Sequence, residues 1–336
     1  MRARSEIYLL LALLALALVS PFLAELTGQQ YLISSMSRLL IFAIAAISLD
    51  LILGYGGLVS LGHAAYLGIG AYVVGILSFH AFEGTTLFGL PGTDNGAVSL
   101  PLAVAISAVT AALIGALCLR TSGIYFIMIT LAFAQMLFFL SVSLQRYGGD
   151  DGLFMSGGAN KIFGLDLGDD ATLYFVSLAA LVAFFLLCRA VVGSRFGRVL
   201  GGIRQNEPRM KTLGYSPYRY KIAAFALAGA GAGLAGGLIA NHAEFVSPDL
   251  LHWTRSGELL FMVILGGMGS LTGAIFGAAA FLLLEEYLPI VFGALSLDLL
   301  KDHWRVVFGP LLILIMLFNR RGIYGGIFGS GGRDGR

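Results

Sequence analysis

Apolar stretches of about 20 residues, separated by short polar breaks, run the length of the chain. They cover 7–24, 31–53, 63–80, 98–119, 123–144, 171–192, 221–240, 257–268, 270–289 and 304–319, and most end in loops carrying Gly, Pro or Asp. A helix of ~20 apolar residues crosses a hydrocarbon core of ~30 Å. Lipid offers the backbone no partner, so each run must satisfy its own N–H and C=O groups as a helix; barrel strands would be shorter and would alternate. The pattern predicts an all-α polytopic membrane helix bundle of about ten crossings, a single transmembrane domain over 1–336. The stretch 257–289 breaks the rhythm. Its first half is short, and GELLFMVILGGMGSLTGAIFGAAAF is interrupted at Gly266-Gly267. One long span, two spans or a broken re-entrant pair all fit it; an even number of crossings favours a hairpin.

Composition agrees: 58% of the 336 residues are hydrophobic and 12% charged, about half the charge of an ordinary soluble domain. No soluble domain of any size is expected. The net charge of +2 matters less than where the charges lie. Segment 193–221 holds Arg195, Arg198, Arg204, Arg209, Lys211, Arg219 and Lys221 against one acid, Glu207. Arg2 and Arg4 precede the first run, Arg120 sits in a short turn, and Arg320 and Arg321 follow the last run. Lysine and arginine mark the cytoplasmic side. Alternating the runs therefore gives an N-in, C-in chain, with a cytoplasmic loop over 193–220 and a cytoplasmic tail over 320–336. The opposite loops are acidic: Glu83 and Asp94; a periplasmic loop over 145–170 with Asp150, Asp151, Asp166, Asp169 and Asp170; Glu244, Asp249 and Glu258; Glu285, Glu286, Asp298 and Asp302. The start, MRARSEIYLLLALLALALVS, has the basic and apolar parts of a signal peptide, but Ser20-Pro21-Phe22-Leu23-Ala24 is a poor cleavage site, so a retained first span is expected. Cys118 and Cys188 lie in apolar runs and read as small buried residues, with neither a disulfide framework nor a metal site.

Glycine is the residue with the most to explain. Gly229, Gly233 and Gly237 recur every four residues, as do Gly269, Gly273 and Gly277. Each row predicts a smooth helix face for close backbone packing, which is how helices associate in lipid. The stretch GYGGLVSLGHAAYLGIGAY (54–72) is different: Gly54, Gly56, Gly57 and Gly62 cluster without a helical period, with Ser60 and His63 among them. A helix does not run comfortably through GYGG. Irregular backbone at membrane depth is tolerated only against protein or a watery cavity, and broken helices line substrate sites in transporters. A translocation pathway along Gly54, Gly57, Ser60, Gly62 and His63 is one reading; a glycine-rich turn is the other. GGLVSLGHAAY (56–66) also echoes GGMGSLTGAIF (266–276). Other polar residues within runs are few: Asp50 at the end of the second, Gln135 in the middle of the fifth, and Arg38, expected to snorkel outward. His63 reads as a hydrogen-bonded structural residue or as a ligand.

Several devices are missing. There is no GxxxxGK[ST] for nucleotide, and the GxGxxG at 231–236 lies inside an apolar run, where it reads as packing. No Cys/His cluster, arginine ladder, TVGYG filter or chain of buried carboxylates appears. Uphill transport would draw its energy from elsewhere, so no cofactor is expected in the chain and no enzymatic activity of its own. Nucleic acid is not an expected partner.

The longest inward segment, GSRFGRVLGGIRQNEPRMKTLGYSPYRYKIAAFALAG (193–229), predicts a short helix over Arg204–Leu213, with Pro208 near its first turn and Gly214 as its stop. Charge alone fits a partner-docking helix and a solvated loop equally. GYGGLVSLGHAAYLGIGAY, RTSGIYFIMITLAFAQM, GGDDGL, FGRVLGGIRQNEPRMKTLGYSPYRYKIAAFALAGAGAGLAGGL and LLFMVILGGMGSLTGAIFGA, in this order over about 50–280, resemble the LivM-type permease of branched-chain amino acid ABC importers. The resemblance implies a homologous LivH-type permease beside this chain, two ATP-binding subunits beneath it, and a periplasmic binding protein delivering leucine, isoleucine or valine. It implies membrane lipid as surroundings and a multi-pass place in a bacterial inner membrane. It also implies a coupling helix to the ATPase at NEPRMKTLG (206–214), engaging Arg204, Asn206, Glu207, Arg209, Lys211, Gly214 and Tyr215. Pro208, Arg209 and Met210 stand where the family's pattern has Glu and two small residues. A zwitterionic cargo would cross between the two permeases past a few dipoles, Ser60 and Gln135 among them. Urea and short-chain amide permeases share nearly the same blocks and remain an alternative, as does a self-sufficient secondary transporter.

Overall fold

The computed structural model describes residues 15, 17–21, 30–87, 89–294, 303–318, 322–323 and 325. Its helices are α1 (Gln30–Asp50, continued by a π-helical turn Leu51–Tyr55), α2 (His63–Glu83), α3 (Gly96–Cys118), α4 (Ile124–Ser143), α5 (Asp170–Gly193), α6 (Arg195–Gln205), α7 (Glu207–Thr212), α8 (Pro217–Ala243), α9 (Trp253–Gly266), α10 (Leu271–Ala294) and α11 (Trp304–Phe318). Seven stretches are long and apolar enough to cross a membrane: Tyr31–Tyr55, α2, α3, α4, α5, α8 and α10. Beyond these seven, α9 and α11 are shorter, with 14 and 15 residues. Of the predicted first span, 7–24, all but residues 15 and 17–21 lie outside the described residues. So do Arg2, Arg4, Asp298, Asp302, Arg320, Arg321 and most of the 320–336 tail.

The helix α1 is the axis of the bundle. Every residue from Leu40 to Gly54 is buried, with α5, α8, α9 and α10 packed around it. The small-residue face of α8 explains how α2 and α3 come so close. A β carbon on Gly229 would strike Ala111, one on Gly233 Ser107, and one on Gly237 Leu100. The three thus descend α3 as they climb α8, an antiparallel contact of nearly bare backbones. The second glycine row does not stay on one helix. Gly273 and Gly277 face the backbone of Gly266 and Met262 across an antiparallel pairing of α9 with α10, an arrangement that two spans and a broken re-entrant pair share. Gly269 instead sits in the link between them, with φ +82°, near Gly267 at φ +112°. These left-handed turns stop the helix, so the four-residue spacing continues past the element it appeared to describe.

The two ends of the bundle differ. One, the basic end, carries α6, α7 and the α1–α2 break. The other is capped. There β3 (Leu153–Phe154) pairs antiparallel with β6 (Phe245–Val246), and β4 (Lys161–Ile162) with β5 (Leu165–Asp166). The buried Asn160 donates from its backbone N–H to Asn241 Oδ1 at 2.8 Å and from Nδ2 to Ser99 Oγ at 2.7 Å. Leu153, Met155 and Leu167 are buried within the same cap. The acidic 145–170 segment is therefore a packed cap with its charges outward. Near α2, β1 (Thr86–Leu87) and β2 (Leu90–Pro91) form a small hairpin.

Two placements correct the charge reading. Glu285 and Glu286 lie within α10, where Arg38 bonds Glu285 at 3.1 Å and Ser35 bonds Glu286 at 3.1 Å. Arg38 is thus paired across helices instead of snorkelling. Glu258 is on α9, not in a loop. Asp50, at the end of the second run, is wholly buried. Cys118 and Cys188 are free and buried, as their apolar settings require.

Candidate functional site

The basic segment is built by successive caps. Ser194 Oγ accepts the Phe196 N–H at 3.1 Å and starts α6. Asn206 ends α6 and starts α7, its Oδ1 accepting the Arg209 N–H at 3.0 Å. Pro208 occupies the first turn of α7, where a missing N–H costs nothing. Gly214, at φ +85°, closes it, with the Tyr215 N–H returning to Met210 O at 3.1 Å. The single helix expected over Arg204–Leu213 is thus two, bent at Asn206. Glu207 bonds Lys221 at 2.6 Å and Lys211 at 3.0 Å, and the Lys221 bond holds its carboxyl below the usual carboxylate range. With Leu119, Tyr215 and Tyr218 these residues line an open cleft of about 420 Å³. Arg209, Lys211, Gly214 and Tyr215 are all exposed.

Arg204 turns the other way. It belongs to the last turn of α6, and its Nη1 donates to the carbonyl of Gly54. Its aliphatic stem lies against Gly57, at φ +68°, where a β carbon would crowd it. The α1–α2 break in turn touches the α9–α10 break. Asp50 Oδ1 accepts the Gly269 N–H at 2.7 Å, and a β carbon on Gly54 would collide with the Gly269 backbone. Two helix breaks and the end of α6 therefore meet at one point. The sequence echo has a structural basis: Gly57 and Gly267, aligned in the echo, both have positive φ. Ser60 Oγ accepts from Gly62 N–H at 3.2 Å, and its counterpart Ser270 Oγ from Gly273 N–H at 3.1 Å.

From Tyr55 the chain folds back to begin α2 deeper in the bundle. His63, the first residue of α2, is fully buried and shares a 2.8 Å hydrogen bond with Ser48 Oγ; its Nδ1 has no partner among the described residues. Gly62 abuts the Thr130 carbonyl of α4. The structure thus gathers Gly54, Gly57, Ser60, Gly62 and His63 on one break and brings that break against α4. Gln135 stands on α4 between Thr130 and Phe138, half-buried.

Sequence reasoning missed the start of α9. After α8 the chain re-enters beside α2: Val246 lies against Gly75, Leu251 against Gly68, and Ser256 Oγ accepts the Ala64 N–H at 2.9 Å. Arg255 and Glu258 follow at once, joined at 2.7 Å. A charge facing hydrocarbon at the centre of a bilayer costs about 2.5–3.5 kcal/mol. The signal available in the sequence was an arginine and a glutamate three apart, running into an apolar stretch with no turn residue beyond Gly257. Among the described residues, no group of three or more His, Cys, Asp or Glu is placed to hold a metal ion.

Residues 31–316 match the family described as "Branched-chain amino acid transport system / permease component". The chain is 30% identical over 302 residues to the high-affinity branched-chain amino acid transport system permease protein LivM of Salmonella typhimurium, covering 83% of this chain and 68% of that protein. It is 29% identical to the LivM protein of Escherichia coli, with the same coverage. A third relative, the probable branched-chain amino acid transport permease protein LivM of Methanocaldococcus jannaschii, is 23% identical over 74% of this chain and 79% of its own length. No solved structure matches the chain.

Proposed function

The chain belongs to the permease components of branched-chain amino acid transport systems, and from that premise we propose how it works. It is a LivM-type multi-pass permease of an ABC importer for branched-chain amino acids. In our reading it lies in a bacterial inner membrane with both ends inside, about ten crossings over one domain, and the 193–220 segment in the cytoplasm. It has no nucleotide site of its own. ATP is bound by two partner subunits, a homologous LivH-type permease completes the pathway, and a periplasmic binding protein delivers cargo to the capped end. The family description favours branched-chain amino acids over urea or amides.

Closure of the ATP-binding subunits pushes on α7, through Asn206, Glu207, Arg209, Lys211, Gly214 and Tyr215. Glu207, tied to Lys211 and Lys221, makes α7 and the foot of α8 move together. Arg204 passes the motion inward. The observation that carries this reading is its bond to the Gly54 carbonyl, at the point where Asp50 also holds Gly269. Movement of α6 then shifts both breaks at once and opens or closes the path along Gly54, Gly57, Ser60, Gly62, His63 and Gln135. Gly229, Gly233, Gly237, Gly273 and Gly277 keep the surrounding helices close enough to slide as bodies.

Reconstitution tests this directly. The chain is expected to co-purify with ATP-binding subunits and, with them and the binding protein, to accumulate leucine only when ATP is hydrolysed. Ion-driven leucine uptake by this chain alone in liposomes would overturn the reading in favour of a secondary transporter.

A further inference from the structure

The tip of the cap carries a residue that the coupling scheme does not use. The register of β4 with β5 pairs Ile162 with Leu165 and Lys161 with Asp166, which leaves Phe163-Gly164 as a two-residue loop. Both loop residues have positive φ, +50° and +87°, as a type I′ turn requires. Asn-Gly is the usual occupant of such a turn, because asparagine tolerates the left-handed region. Phenylalanine does not, so Phe163 is held against its backbone preference. Its ring is also 92% exposed, and a ring left in water adds no burial to the fold. The rest of the hairpin is anchored. Ile162 packs on Gly96, the Lys161 N–H donates to the Asp94 carbonyl at 2.8 Å, and the Leu167 N–H donates to the Asn160 carbonyl at 3.0 Å. The chain thus sets an aromatic ring in water on a firm mount, at a conformational cost that nothing within the fold returns.

Carboxylates stand behind the ring. A β carbon on Gly168 would lie 3.2 Å from Glu244 Oε1 and 3.3 Å from Asp166 Oδ1, so these two side chains are neighbours. Both residues are exposed, as is Asp169, with Lys161 the cation of the hairpin. Asp166 is the second residue after the turn, about 7 Å along the strand at ~3.4 Å per residue. That lies well within the ~800 Å² that each partner contributes to a specific protein interface.

We propose that Phe163 is the anchor by which the capped end seats the periplasmic binding protein. The ring enters an apolar pocket on that protein, whose lysines or arginines meet Asp166 and Glu244. This rests on the importer reading above, which brings a binding protein to this end, and names the residue that holds it. Buried aromatic anchors carry a large share of interface energy, and a ring already fixed on a tight turn loses little freedom on docking. A lipid surface is the poorer fit. Interfacial anchors combine Trp or Tyr with Lys or Arg, whereas anionic headgroups repel the carboxylates beside Phe163.

Phe163→Asn separates docking from folding, because it installs the favoured Asn-Gly turn. The assembled importer in nanodiscs is titrated with its leucine-loaded binding protein at low salt. Leucine uptake by the parent checks the importer reading separately: an assembled parent that takes up no branched-chain amino acid sinks that reading and the anchor with it. With a working parent, Phe163→Asn weakens binding about tenfold, while its melting temperature in detergent stays at or above the parent's. Asp166→Asn with Glu244→Gln weakens binding as well and flattens its salt dependence. Parental affinity in Phe163→Asn overturns the anchor and leaves the importer reading standing. A melting temperature below the parent's returns Phe163 to a structural role and overturns it too. So does a nitroxide on Phe163→Cys that meets oxygen more often than a water-soluble nickel chelate, since that places the tip in lipid.

Discussion

Gly214 and Arg204 divide the work of the basic segment between shape and contact. Gly214 has open space around it and φ +85°, so a side chain there meets only its own backbone, at a cost of about 1–2 kcal/mol. Gly214→Val is expected to misplace the end of α7 and leave an assembled complex that hydrolyses ATP without matching leucine uptake. Measuring both rates on one preparation checks this, and parental coupling would return Gly214 to a plain helix stop. Arg204→Ala removes the bond to Gly54 and is expected to lower uptake tenfold or more with α7 still docked. At this scale the sequence was legible where a residue acts on its neighbours: Asn206, Pro208 and Gly214 frame α7 through contacts within a few positions. It was not legible for Asp50 or Arg204. Their partners lie 219 and 150 residues away, and no local pattern encodes such a meeting.

Helices were legible because lipid imposes length and polarity on them; the apolar runs match α1 to α5, α8 and α10 to within a few residues. The exception is instructive. Polar residues at 252–256 made α9 look as though it began at 257, beyond the membrane surface. Its start is set by His252, which caps the helix, and by the bond of Ser256 to α2, so tertiary contacts and not hydropathy place it. The α9–α10 pairing depends on bare backbone: a β carbon on Gly277 would fall on the Met262 carbonyl. Gly277→Leu is expected to destabilise the protein by about 1–3 kcal/mol through overpacking. Gly193, at the end of α5, has nothing within 4 Å, so Gly193→Ala is expected to be neutral or stabilising by about 0.5–1 kcal/mol. Thermal unfolding in detergent compares the two, and equal melting temperatures would remove the packing role of Gly277.

The whole molecule presents a basic end and a capped end, and the proposed orientation puts the basic end in the cytoplasm. Phe163, 92% exposed in the cap, and Arg209 on α7 mark the two sides. With Cys118 and Cys188 buried, a Phe163→Cys variant is expected to react with an impermeant thiol reagent from outside the inner membrane, and Arg209→Cys only after permeabilisation. The reverse pattern would invert the topology. At the basic end, the junction of Asp50, Gly54, Gly269 and Arg204 would, in the proposed coupling, bear on how faithfully fuel is turned into transport. If one hairpin moved alone, Asp50 would be left as a buried carboxyl without its amide, at a penalty of several kcal/mol. In the proposed coupling, half-completed strokes are therefore expected to be rare, and slippage, in which fuel is spent and nothing is carried, to be suppressed by two side chains.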